Sequence, residues 1–187
     1  MKKTSNVKVA GFGGQGVMMF GQVLAYSATK DELFGLWFPS YGPETRGGTA
    51  NCSVIVSDKQ INSPVFKNAD HLVAFNLPSL EKFRGKVVKD GLILYNGSLI
   101  KDEVKEDGIL CIGVPVNEIA TELGNEKVAN MAMMGAYLEL TKLFSDENIE
   151  VINKKYLGER KADLLDINMK AIEKGKAFIK DLGVNYA

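Results

Sequence analysis

Two short stretches carry residue types that could do chemistry. The first is Gly11-Phe12-Gly13-Gly14-Gln15-Gly16, which fits G-x-G-x-x-G at Gly11, Gly13 and Gly16. A glycine turn between a strand and a helix aims unpaired backbone N–H groups at an anion, and the positive end of the helix dipole adds to the pull. Gly11, Gly13, Gly14, Gln15 and Gly16 are therefore the candidate anion cradle. The second stretch is Tyr41-Gly42-Pro43-Glu44-Thr45-Arg46-Gly47-Gly48. Pro43 stiffens it, while Gly42, Gly47 and Gly48 permit close approach of another backbone. Arg46 sits beyond the expected carboxyl end of a strand, the end at which open α/β sheets bind ligands. Two readings of it stand side by side: a Glu44–Arg46 ion pair within a surface turn, or a guanidinium that grips a phosphate, a carboxylate or a neighbouring subunit.

The elements that must position these loops follow from hydrophobic patterning. Val7–Ala10 is β-prone, and Val17, Phe20, Gly21, Leu24 and Ala28 recur on one face of a helix. Leu36–Phe38 predicts a second strand stopped by Pro39, and Thr49–Val56 a third. Ile61–Pro64 is expected to pair back on the third as a short hairpin arm. His71–Phe75 is a short apolar run of the kind buried on both faces of a parallel sheet, and Gly91–Asn96 and Gly108–Val114 are expected as the next two strands. Asn76 or Ser79 caps a helix through Leu80 and Phe83. Further helices are expected over Asn117–Leu123, Asn130–Phe144 and Ala162–Leu182, with Lys101–Asp107 as a solvated loop. Within the second of these helices Ala132, Gly135 and Ala136 allow close approach. Its methionines read as core fillers, although an interface could hide there. The expectation is one α/β domain over residues 1–187: a Rossmann-like three-layer fold with a mainly parallel sheet and an inserted β-hairpin.

Composition excludes several classes of function. Lysine and arginine number 23 and so do the acids, leaving no electrostatic footprint for nucleic acid or an anionic membrane. The basic start, Met1-Lys2-Lys3, is followed by no apolar signal-peptide core, and no run reaches membrane-spanning length. A cytoplasmic protein is expected. Cys52 and Cys111 lie far apart, without a C-x-x-C pair, and His71 is the single histidine. An all-cysteine iron–sulfur cluster within this chain is excluded on that count, a structural zinc is not expected, and no metal ligand is assigned. Both cysteines read as buried thiols rather than nucleophiles.

A dehydrogenase reading also fails. NAD sites place an acid at the end of the second strand to bind the ribose. Here that strand ends Trp37-Phe38-Pro39-Ser40; Asp31 and Glu32 come too early, and Glu44 follows a proline. The second crossover helix is missing as well. No residue is assigned a catalytic role.

The glycine loop, the Trp37–Gly48 block and the Ile61-x-Ser63-Pro64 arm together resemble the gamma subunit of 2-oxoacid:ferredoxin oxidoreductases, in order and spacing, with the strong likeness covering Val7 to Pro78. The Tyr-Gly-Pro-Glu-x-Arg-Gly-Gly form looks closest to the 2-oxoglutarate branch, with the branched-chain branch next. The resemblance implies membership of a complex that oxidatively decarboxylates a 2-oxoacid with coenzyme A, giving acyl-CoA, carbon dioxide and reduced ferredoxin. It also implies that thiamine diphosphate, magnesium and iron–sulfur clusters are held by partner chains: alpha and beta subunits, with a ferredoxin-like delta subunit in some complexes. No Gly-Asp-Gly thiamine motif occurs here, so the isolated chain is expected to be inactive and to assist assembly and CoA binding. Gly11, Gly13, Gly14, Gln15 and Gly16 would hold an anion such as the CoA diphosphate. Glu44, Thr45, Arg46, Gly47 and Gly48 would face the active site or a subunit junction. A homodimer of the isolated chain is an open expectation. The competing readings are a stand-alone nucleotide- or CoA-binding module and a structural adaptor with an empty glycine loop.

Overall fold

The computed structural model describes residues 4–40, 49–144, 146–157 and 162–186. Strand β1 (Thr4–Gly11) leads through the glycine loop into helix α1 (Val17–Lys30). Then come β2 (Phe34–Ser40), β3 (Ala50–Ser57), β4 (Ala69–Ala74), α2 (Leu77–Phe83), β5 (Val87–Asn96) and β6 (Leu110–Val114). Four helices follow: α3 (Val116–Glu122), α4 (Ala129–Thr141), α5 (Asp146–Leu157) and α6 (Ala162–Leu182). The strands form one sheet in the order β2-β3-β1-β4-β5-β6. β1, β4, β5 and β6 are mutually parallel, and β3 runs antiparallel to both β1 and β2.

Side-chain alternation along the central strands divides the core into two layers. Val7, Val9, Val73, Phe75, Leu92 and Leu94 face α1, α4 and α6 in the larger layer. Ala10, Leu72, Ala74, Ile93 and Tyr95 face Leu80 and Phe83 of α2 in the smaller one, with Ile100 and Val104 closing its far side. The loop expected to be wholly solvated is therefore anchored. Val104 is buried, and its N–H donates to the Tyr95 hydroxyl, while Lys101, Asp102, Glu103 and Lys105 stay in water.

Two expectations about the hairpin need correction. β2 does not stop at Pro39, which pairs opposite Cys52. β2 is the outer strand of the sheet, where a residue without an N–H can turn its bare nitrogen to solvent. Ile61–Pro64 adopts no strand, so the antiparallel excursion is made by β2 and β3, and β3 inserts between β2 and β1. Helix α5 was not foreseen; it is the most polar on average of the longer helices, although its apolar residues recur at helical spacing.

Helix α4 is buried all round. Met131, Met133 and Met134 are wholly inaccessible, which a helix sandwiched between a sheet and another helix requires. The methionines fill this chain's own core, and the helix keeps no methionine free for an interface. Its outer side meets α6 at backbone contact. A Cβ on Gly135 would stand 1.9 Å from the Ile172 carbonyl oxygen, and one on Gly175 would stand 1.9 Å from that of Ala132. Such a gap admits only hydrogen at both positions. We expect Gly135→Ala to push the helices apart and cost about 2–3 kcal/mol, as overpacking does, lowering the melting temperature by roughly 4–10 °C for a chain of this size. Gly85→Ala, where a Cβ meets nothing within 4 Å, should leave the melt unchanged.

Candidate functional site

The site is built where β1 and β4 end. The chain leaves β1 toward one side of the sheet and reaches β4 on the other, so a crevice opens between their carboxyl ends. Gly14 and Gly16 take left-handed backbone angles, φ +89° and +76°, and Gly16 serves as N-cap of α1. At Gly16 the conformation and the space both exclude a side chain, because a Cβ would lie 2.4–2.8 Å from Asn130. No side chain caps α1. Among the described residues, the N–H groups of Gly13, Gly14 and Gly16 have no partner. Those are the donors an anion would use.

Gln15 has a different place from its neighbours. Its carbonyl oxygen accepts from the Phe12 N–H at 2.7 Å and from Asn76 Nδ2 at 2.8 Å, and its amide nitrogen donates to the Phe75 carbonyl at 3.3 Å. Both ends of the amide are thus spent in tying the glycine loop to the end of β4. Asn76, buried, also accepts from the Ser79 N–H at 2.9 Å and so caps α2. One pair of side chains therefore sets the loop, the end of β4 and the start of a helix in register.

A cleft of about 310 Å³ lies beside the loop. Gly14, Gln15 and Phe75 form one wall, while Asn96, Asn117 and Lys127 contribute to the remainder. Asn96 ends β5 and donates to the Asn117 side chain at 3.0 Å, and Asn130, at the start of α4, reaches the Gly16 carbonyl at 3.5 Å. Beside them the Ser98 hydroxyl donates to Glu118, which holds that carboxyl below its ordinary value. Sequence reasoning offered Asn76 only as a helix cap and assigned none of these asparagines to the site. The available signal was positional: Asn76, Asn96 and Asn117 follow the carboxyl ends of apolar runs, where a parallel sheet opens its crevice. Asn130 gave none, since only the turn before α4 brings it round to face the loop.

The hydroxyl and charged side chains of the cleft are Thr121, Glu126 and Lys127. Its lining contains neither cysteine nor histidine, and among the described residues no three of His, Cys, Asp and Glu cluster as metal ligands. His71 lies at the start of β4, far along the strand from the cleft, with its Nδ1 2.7 Å from the buried Tyr137 hydroxyl. The absence of a ribose acid also gains a structural cause. β3 separates β2 from β1, so the end of β2 stands two strands, roughly 10 Å, from the glycine loop. Glu44, Thr45, Arg46, Gly47 and Gly48 lie outside the described residues.

With this geometry the comparisons can be read. The sequence pattern of the pyruvate ferredoxin/flavodoxin oxidoreductase family matches residues 6–178. The chain belongs to that family. It is 42% identical over 171 residues to the ketoisovalerate oxidoreductase subunit VorA of Methanothermobacter marburgensis, an alignment covering 90% of this chain and 35% of VorA. The chain therefore spans about a third of that relative's length. It is 30% identical to the 2-oxoglutarate synthase subunit KorC of Methanocaldococcus jannaschii, covering 97% of each. Its fold matches the gamma subunit of a keto/oxoacid ferredoxin oxidoreductase from Geobacter sulfurreducens with TM-score 0.81 and 26% identity, over 95% of this chain and 99% of that one. A 2-oxoglutarate:ferredoxin oxidoreductase from Magnetococcus marinus, with 2-oxoglutarate, coenzyme A and succinyl-CoA bound, aligns over the whole chain and 32% of its own, with TM-score 0.88 and 25% identity.

The cysteines belong to the core. Cys52 is fully buried under α1, and burial pushes its thiol from 9.0 up to about 12; Cys111, half-buried, is raised by the same cause. Neither offers a thiolate at neutral pH. The unfolded chain ionises Cys52 above pH 9 while the folded chain does not. Its stabilising contribution is therefore complete below pH 9 and is lost between pH 9 and 12, by about 1.4 kcal/mol per pH unit. Denaturant unfolding at pH 8, 9.5 and 10.5 should show that extra slope in the native sequence and its absence in Cys52→Ala.

Proposed function

We propose that this chain is the gamma subunit of a 2-oxoacid:ferredoxin oxidoreductase, a complex that oxidatively decarboxylates a 2-oxoacid with CoA to acyl-CoA, carbon dioxide and reduced ferredoxin. The observation that carries the reading is the match to a solved gamma subunit over nearly the full length of both chains. A cleft furnished with amides and backbone donors, and without cysteine or histidine, suits a subunit that binds and positions. On this reading thiamine diphosphate, magnesium and iron–sulfur clusters reside in alpha, beta and delta-type partners within the cytoplasm. This chain's share is assembly and CoA. The free N–H groups of Gly13, Gly14 and Gly16 receive the CoA diphosphate, with Lys127 across the cleft as counter-charge.

For the 2-oxoacid we propose 2-oxoglutarate, on the form of the Tyr41–Gly48 block. The higher identity to a ketoisovalerate oxidoreductase subunit favours a branched-chain 2-oxoacid as the alternative. A stand-alone CoA- or nucleotide-binding module is the competing reading, since the cleft is complete within one chain.

Affinity isolation from native extract decides between them. We expect larger chains carrying thiamine diphosphate and iron–sulfur clusters to accompany this one, with 2-oxoacid-dependent viologen reduction in the same fractions. Recovery of the free chain alone would falsify the subunit reading. In calorimetry CoA should bind and NAD should not, and Lys127→Ala should weaken CoA by about three- to tenfold, the worth of one partly exposed charge on phosphate. For Arg46 we expect Arg46→Ala to lower the activity of the complex with little change in the subunit's melting temperature. A large melting shift would favour the surface ion pair instead.

A further inference from the structure

On the sheet face opposite α1 a second, smaller cavity of about 100 Å³ is bordered by Lys8, Ser53, Phe66, Lys67, Phe83 and Lys86. Lys82 is outside the lining and its Nζ donates to Thr49 Oγ1 at 3.0 Å. Lys8 Nζ donates to Ser53 Oγ at 3.2 Å and lies 5.0 Å from the centre of the Phe83 ring, over which Lys82 also sits at 5.7 Å. Among the described residues none of these four lysines has a carboxylate within 4.0 Å. The chain as a whole balances its charges, so three lysines without a carboxylate partner around one cavity are a local excess. Lys8 is the costly member. It projects from the middle strand of the sheet, half-buried, and burial followed by the neighbouring Lys86 and Lys82 lowers its pKa. An aliphatic residue there would extend the apolar layer of Leu72 and Phe83 without that penalty.

We propose that this cavity is a binding site for a phosphate group, separate from the glycine-loop cleft. Lys8 and Ser53 form the floor and Lys67 and Lys86 the rim. A dianion with tetrahedral oxygens suits several ammonium donors that converge without a fixed fork. The volume is that of about three waters at roughly 30 Å³ each, enough for the phosphate and not for a nucleoside. The same chemistry could arrive as free phosphate or as the phosphate end of a nucleotide whose remainder stays outside.

The full chain should be titrated with inorganic phosphate and, separately, with adenosine 5′-monophosphate, following the backbone amide signals of Lys8, Ser53 and Lys67. We expect saturable shifts at those residues, weakened by added salt, and a loss of affinity of about tenfold or more in Lys67→Glu/Lys86→Glu. Both of those side chains are exposed, so that variant should fold normally even if Lys8→Met does not. Lys127→Ala should leave the shifts unchanged, which separates this site from the CoA reading. Equal affinity for the two ligands identifies free phosphate, and tighter monophosphate binding identifies a nucleotide; either supports the site. Absence of saturation with both, or affinity undiminished in the double variant, overturns it.

Discussion

The close crossing of α4 and α6 is the contact on which the rest of the molecule depends. Gly135 and Gly175 let the two helices meet at backbone distance, which holds α4 down on the sheet. The consequence is felt at the other end of the same helix. Asn130, in its first turn, packs against Gly16, and the short turn before it, Glu126–Val128, supplies Lys127 to the cleft. A displacement of α4 would open the wall facing the glycine loop. Packing deep in the core and geometry at the crevice are thus one problem, solved by two glycines with no side chain in the way.

The crevice itself is furnished for recognition. Its polar side chains are mainly amides, which bind each other and the backbone and need no titration to work. Gln15 illustrates the economy. By spending its amide on Phe12, Phe75 and Asn76, it fixes the loop and leaves the glycine N–H groups as the donors that remain. The antiparallel β3 then removes the part of the doubly wound plan that a dinucleotide would need, by moving the end of β2 away from the loop.

Much of this was legible in the linear order of residues. The strand–glycine–helix start, the buried run of β4, the strands β5 and β6, the capping asparagine before α2 and the small-residue face of α4 each follow from a local signal of period, cap or volume. The errors share a cause. Pro39 reads as a stop because proline lacks a donor, yet on an outer strand that donor is not needed. Ile61–Pro64 has the length of a hairpin arm, but β3 finds both its neighbours, β1 and β2, elsewhere.

The sequence by itself determined what is local: most of the strands and helices, a glycine turn that opens α1, and a chain with two separated cysteines and one histidine. Tertiary structure alone decided what depends on distant partners. It turned Gln15 inward, set β3 between β1 and β2, and gathered Asn96, Asn117 and Lys127 around the loop. It also collected Lys8, Lys67, Lys82 and Lys86, up to 78 positions apart in the chain, on one face of the sheet. Pairing of strands and packing of helices are long-range choices, fixed by how buried surfaces fit together, and no window of neighbouring residues contains them.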